Sequence, residues 1–258
     1  MAPILEAKGI NKNFRGLKAV SNYSLSQEAG SIYGLIGPNG AGKTTVFNIL
    51  TGTIKPNAGT IRLDGRNITG LRPDLIARLG MARTFQNLRL FNTLTVLENV
   101  LIGAQIHKSY GFVAALGSLP PLTGGERILR AQAYELLEML GLADKARQPA
   151  GSLPYGSQRK LEIARALATK PRVLLLDEPA AGMNPRESQE LMETIRQIQK
   201  QFNLTILLIE HDMNVVMNLC QRLQVLCYGC IIAEGTPAEI KNNPQVIEAY
   251  LGRKAGNA

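Results

Sequence analysis

Gly37-Pro38-Asn39-Gly40-Ala41-Gly42-Lys43-Thr44 fills every fixed position of the pattern G-x-x-x-x-G-K-[ST], the signature of a phosphate-binding loop. The flanks agree with it. Ser31-Ile32-Tyr33-Gly34-Leu35-Ile36 ahead of the loop reads as a buried strand, and Thr45-Val46-Phe47-Asn48-Ile49-Leu50 behind it as a helix. A strand, a Gly-rich turn and a helix N-terminus build an anion site from backbone alone. The N–H groups of the first helical turn have no intrahelical acceptors and so point at a ligand. Glycine lets the backbone close around phosphates with no Cβ in the way. Lys43 adds a cation for the β- and γ-phosphates, Thr44 a hydroxyl for Mg²⁺, and Thr45 closes the nucleotide-binding segment. The bland alternative is a Gly-rich turn that caps a helix and binds nothing. The Lys-Thr ending and both flanks weigh against it.

Composition sets the outer bounds. The chain has 258 residues, enough for one large domain or two small ones. Hydrophobic residues are 45% and charged residues 19%, so a soluble chain with a sizeable core is expected. No apolar run approaches the roughly 20 residues of a membrane span. Met1-Ala2-Pro3-Ile4-Leu5-Glu6-Ala7-Lys8 lacks the basic and apolar regions of a secretory signal, which points to the cytosol. The net charge of +9 comes from scattered residues. It fits a solvated surface first, attraction to anionic lipid near a membrane partner second, and a nucleic-acid surface third. Cys227-Tyr228-Gly229-Cys230 has C-x-x-C spacing, but Tyr228-Gly229 reads as a hairpin turn. Reduced core or edge cysteines are the expectation, with a zinc or redox site as the alternative.

Along the chain, residues 4–36 alternate short apolar and polar stretches with turns at Phe14-Arg15-Gly16 and Ala29-Gly30, a pattern of antiparallel strands. A turn over Lys55 to Gly59 leads to a strand Thr60 to Leu63, a short helix opened by Pro73 and stopped at Gly80, and a strand Met81 to Phe85. The pattern then changes. Thr95-Val96-Leu97-Glu98 is a capping box for a helix reaching about Ile106. Residues 108–125 read as a Gly-, Pro- and Ser-rich loop. Leu129, Ala133, Leu136, Leu137 and Leu140 recur at helical spacing before Gly141, and Leu161, Ala164, Leu167 and Ala168 mark a further helix. Strands Val173–Leu176 and Leu204–Ile209, helices Glu187–Gln201 and Met213–Leu219, and a final hairpin restore α/β order. Nearly continuous apolar strands between helices imply a parallel sheet covered on both faces.

Val173-Leu174-Leu175-Leu176 ends in Asp177-Glu178. Beside a phosphate loop, Asp177 can hold Mg²⁺ through its water shell, and Glu178 can orient or deprotonate the attacking water. With these residues the chain resembles, over nearly its whole length, the ATP-binding subunit of ABC transporters. The evidence is the order of segments. The phosphate loop comes first. Gln86, after Arg83-Thr84-Phe85, is similar to the family's lid glutamine. Leu153-Pro154-Tyr155-Gly156-Ser157 stands at the signature position. Asp177-Glu178-Pro179 follows, then Ala181-Gly182-Met183-Asn184 at the dimer loop, then Ile209-Glu210-His211-Asp212 with the switch histidine.

The resemblance implies an α/β fold: a P-loop NTPase (RecA-like) core with an antiparallel β subdomain and an inserted helical subdomain. All belong to one ABC ATPase domain over 1–258. Residues 1–86 and 169–258 would form the core with its β subdomain, and 87–168 the helical part. It also implies that Phe14 stacks on adenine, that Gln86 touches Mg²⁺ or the attacking water, and that His211 contacts the γ-phosphate. Two departures stand out. Pro154 replaces the signature serine and has no backbone donor, so Tyr155 and Gly156 N–H groups and the helix behind them are left to bind anion, with Ser157 placed to help. Asn184 stands where the dimer loop usually carries Asp. Both changes point away from symmetric self-pairing, toward a heterodimer with a paralogue over a homodimer.

Asp177-Glu178-Pro179-Ala180-Ala181-Gly182-Met183-Asn184-Pro185, Ile209 to Met213, the Tyr-Gly signature and the ending Asn243 to Gly252 are most similar to LivG-type subunits. Those energise importers of branched-chain and other hydrophobic amino acids. The resemblance implies ATP and Mg²⁺ as ligands, two membrane permease subunits docking around Gln86 to Asn92, a substrate-binding protein acting indirectly, and a peripheral place on the cytoplasmic face of the membrane. No nucleic acid is expected. Engines of lipid or lipopolysaccharide export, and soluble ABC ATPases working on DNA or ribosomes, are the alternatives.

Overall fold

The computed structural model describes residues 2–107 and 123–251. Its chain divides into two units, Met1–Gln86 with Arg172–Ala258, and Asn87–Pro171.

In the first unit, β1 (Leu5–Phe14), β2 (Leu17–Gln27), β4 (Ala58–Leu63) and β5 (Arg66–Asn67) form an antiparallel sheet in the order β2-β1-β4-β5. The inward face of β2 presents Val20, Tyr23, Leu25 and Gln27, and the pairing of β1 with β2 shifts register three times, so both strands bend. Among the described residues the second sheet has six strands. They are β3 (Ile32–Ile36), β6 (Met81–Arg83), β7 (Val173–Asp177), β8 (Thr205–Ile209), β9 (Arg222–Cys227) and β10 (Cys230–Gly235), in the order β10-β9-β3-β8-β7-β6. All pairs are parallel except β9 with β10. Every residue of β7 and of β8 is buried, as unbroken apolar strands require when neither sheet face meets water.

Helix α1 (Lys43–Leu50) follows the phosphate loop, and α2 (Pro73–Arg78) precedes β6. Phe47 on α1 is fully buried in a cluster with Leu5, Ile10, Tyr23, Leu175, Leu207 and Leu226. Burying such a ring is worth about 1.5–3 kcal/mol, which fixes the helix beneath the loop. In the second unit, α3 (Val96–Ala104) packs on α4 (Thr123–Met139) and α5 (Tyr155–Leu167). Back in the first, α6 (Pro185–Phe202) carries a full capping box, Asn184 with Glu187. Helices α7 (Met213–Leu219), α8 (Pro237–Lys241) and α9 (Pro244–Leu251) are the last described helices. Among the described residues no helix is long and apolar enough to cross a membrane.

Several expectations need correction. Residues 4–36 are not all antiparallel, because β3 leaves that sheet to lie between β8 and β9. Its unbroken apolar character matches a two-sided burial that β1 and β2 do not have. The strand expected over Met81 to Phe85 stops at Arg83, where pairing with β7 ends. The helix from the Thr95 capping box ends at Ala104 and tightens into a 3₁₀ turn over Gln105–His107. Of the loop expected over 108–125, residues 123–125 are already helical, and 108–122 lie outside the described residues, as does Gly252 at the end of the last quoted segment.

Candidate functional site

Parallel pairing brings distant segments to one edge of the sheet. Leu35 on β3 stands opposite Ile209 on β8, and Ile209 opposite Asp177 on β7, so one row leads into Gly37, His211 and the Asp177-Glu178 pair. The carboxyl ends of parallel strands are where such sheets bind ligands.

The loop's shape depends on what lies behind it. At Gly37, with φ +147°, a Cβ would stand 2.0 Å from the Leu226 carbonyl oxygen; at Gly42, φ +106°, one would stand 2.5 Å from that of Ala19. Only glycine fits where other backbone comes this close. The Tyr228-Gly229 turn holds the loop from the same side, with Gly229 N–H donating to Ala41 O at 2.8 Å and Ser21 N–H donating to Gly229 O at 2.8 Å. Lys43 Nζ folds back to donate to the carbonyls of Gly37 (2.6 Å) and Pro38 (3.1 Å). Asn39, Gly40 and Thr44 are exposed, Pro38 and Thr45 half-buried and Ala41 buried.

Asp177 is buried and paired with Arg83, whose Nη2 lies 2.6 Å from its Oδ2. Glu178 begins the turn after β7 with φ +48°, an unusual backbone state for a non-glycine residue and one that recurs at active sites. A hydrogen bond from its N–H to Ile209 O (2.9 Å) holds it there. Gln86 Nε2 donates to Glu178 Oε2 at 3.0 Å, and His211 Nδ1 lies 3.7 Å from the same oxygen. Gln86, Glu178 and His211 therefore meet at one carboxylate.

Glu210 was not singled out by sequence reasoning. Its buried carboxylate accepts from Ala180 N–H (3.0 Å) on one oxygen and from His211 (3.1 Å) and Asp212 N–H (3.4 Å) on the other. Burial pushes this carboxyl above its ordinary range, and the three N–H donors and His211 pull it back. It ties the segment after Glu178 to the one carrying His211. Its place directly before His211 was the available signal.

Phe14 lies at the exposed end of β1, with Lys12 Nζ 5.1 Å from its ring centroid. In the second unit, Leu153 is buried, Pro154 is the N-cap of α5, and Tyr155, Gly156 and Ser157 form its first turn, with no side chain capping it. Gln158 Nε2 donates to Leu153 O at 2.8 Å, and the Arg159 guanidinium donates to the Tyr155 hydroxyl at 2.7 and 3.1 Å. Cys227 and Cys230 face each other across the hairpin turn and are free, as is Cys220.

Residues 20–181 match the ABC transporter family, and residues 230–256 match the family described as branched-chain amino acid ATP-binding cassette transporter. The chain belongs to the ABC transporter family. It is 48% identical over 97% of its length, and 98% of the relative's, to the high-affinity branched-chain amino acid transport ATP-binding protein BraF of Pseudomonas aeruginosa. It is 47% identical, at the same coverage of both chains, to the corresponding protein LivG of Escherichia coli K12. Among solved structures, the ADP conformation of an ATP-binding cassette of an ABC transporter matches with a TM-score of 0.86 at 32% identity, over 98% of this chain and all of that one. That ABC ATPase cassette has the P-loop NTPase fold expected from the sequence.

Proposed function

We propose that this ABC protein is the ATP-binding and ATP-hydrolysing subunit of an importer of branched-chain or other hydrophobic amino acids. The observation that carries the reading is the end-to-end likeness to BraF and LivG, at 48% and 47% identity, in a chain whose own phosphate loop is complete.

Gly37 to Thr45 cradle the phosphates with backbone donors and the Lys43 ammonium, and Phe14 offers its ring to the base. The oxygens of Thr44, Gln86 and Asp177 would hold Mg²⁺. One buried carboxylate with neutral oxygens suits a hard cation that keeps much of its water, and among the described residues no cluster of His, Cys, Asp and Glu competes for that role. When bound, Mg²⁺ supplies charge neutralisation at the phosphates. Glu178 takes the proton of the attacking water, held in line by Gln86; His211 reaches the γ-phosphate. Leu153 to Ser157 complete the site of a second ABC subunit, a paralogue or another copy. Two permease subunits dock near Gln86 to Asn92 and place the chain at the cytoplasmic face of the membrane. Closure of the two ATPase subunits on ATP then shifts the transporter between its states.

The test is reconstitution with the permease subunits, the second ATPase subunit and the substrate-binding protein. ATP turnover rises when cargo-loaded binding protein is added. Turnover indifferent to every hydrophobic amino acid would overturn the cargo assignment.

A further inference from the structure

Arg83 is the residue of this site that no motif explains. Its side chain is 6% exposed, as deeply sunk as the Asp177 carboxylate at 4%. One nitrogen, Nη2, donates to Asp177 Oδ2 at 2.6 Å; the other, Nη1, donates to Asn48 Oδ1 on α1 at 2.7 Å. The guanidinium carbon lies 5.5 Å from the centroid of Phe47, also on α1, and 5.1 Å from that of Phe85, the residue before Gln86. One planar cation therefore touches the helix behind the phosphate loop, the carboxylate at the tip of β7 and the segment that carries Gln86.

We infer that Arg83 is a positioning residue: it fixes the Asp177 carboxylate for the metal and holds it in register with the phosphate-loop helix and the Gln86 segment. This rests on the proposed Mg²⁺ role of Asp177. A buried carboxylate with no fixed partner can rotate away from a bound cation. The guanidinium's Nη2 occupies one carboxylate oxygen and leaves the other to the cation's water shell. Its second arm, on Asn48, sets that geometry relative to α1, which carries Lys43 and Thr44. Lysine has the charge but not the fork, so it cannot hold Asp177 and Asn48 in one plane. Partners that orient a metal ligand are typically worth ~10–100-fold in metal affinity.

The experiment titrates Mn²⁺, read by electron paramagnetic resonance, into protein saturated with a non-hydrolysable ATP analogue. Affinity for the analogue itself is measured separately in EDTA. Arg83→Lys is expected to weaken Mn²⁺ binding by about tenfold or more while leaving analogue affinity in EDTA unchanged. Asn48→Ala keeps the buried pair and removes its shorter anchor on α1, leaving Nη1 the 3.5 Å contact with Thr51 Oγ1 at the end of that helix. It is expected to weaken Mn²⁺ binding by a smaller factor, and it decides the matter if Arg83→Lys does not fold. Unchanged Mn²⁺ affinity in both variants, or an equal loss of analogue affinity in EDTA, overturns the positioning role. Asp177→Asn separates the two readings. If it binds Mn²⁺ like the wild type, the metal assignment of Asp177 falls and the inference with it. If it loses the metal while Arg83→Lys does not, Arg83 alone is misassigned.

Discussion

Replacing Glu178 by Gln tests the catalytic proposal with little disturbance of the fold. The amide keeps the size of the carboxylate and leaves the Glu178 backbone, with its φ of +48° and its N–H bonded to Ile209 O, as it is. Gln86 still finds an acceptor at 3.0 Å. What changes is that a bond to a charged group, worth about 1.5–3 kcal/mol, becomes a neutral one worth about 0.5–1.5, a loss near 1 kcal/mol. For a chain of this size that lowers the melting temperature by roughly 2–4 °C. The catalytic loss is far larger. Removing a positioned general base slows turnover on the order of 10²–10⁴-fold, or about 2.7–5.5 kcal/mol of barrier. ATP binding is retained, since no phosphate-loop group is touched. The assay is ATP turnover of the reconstituted complex beside a melting curve and a binding titration. Turnover within about tenfold of wild type, in a variant that melts and binds normally, would move proton transfer to another residue.

Three further outcomes are expected. Lys43→Ala removes a charge-assisted bond to phosphate and should weaken ATP binding at least about tenfold in calorimetry; unchanged affinity contradicts the phosphate-loop reading. Asn184→Ala deletes the capping box whose Oδ1 accepts from Glu187 N–H at 3.0 Å, and should cost about 1 kcal/mol in chemical denaturation; no loss would mean the α6 start is held by other contacts. Burial pushes the Cys220 thiol up to about 12 from its ordinary 9.0. Iodoacetamide at a pH near 8 should therefore label exposed Cys230 and spare Cys220, as mapped by mass spectrometry. Between those two values only the unfolded chain ionises at Cys220, so this group lowers stability as pH rises, by about 1.4 kcal/mol per unit.

The legible parts of the sequence were those whose physics is local. The phosphate loop, the Thr95 capping box and the Tyr228-Gly229 turn each depend on residues a few positions apart, and each stands where expected. The chain order of motifs also foretold which segments the structure collects at one sheet edge. What stayed hidden depends on packing between segments far apart. That β3 pairs with β8 and β9 depends on strands near the other end of the chain, which its own apolar, buried character does not name. Arg83 read only as part of the strand leading to Gln86, because its partners Asn48 and Asp177 are 35 and 94 positions away. Glu210 was overshadowed by the histidine beside it.

The topology of the central sheet also sets a timetable. β3, the strand that launches the phosphate loop, finds its hydrogen-bonding neighbours only in β8 and β9, and the Gly229 clasp on Ala41 comes later still. During synthesis β3 and the loop behind it must wait for the last quarter of the chain before they can assume their final shape. Non-local pairing of this kind is slow and leaves apolar edges uncovered in the interim. The phosphate loop therefore takes its final shape only after β8, β9 and the Tyr228-Gly229 turn behind it have been made.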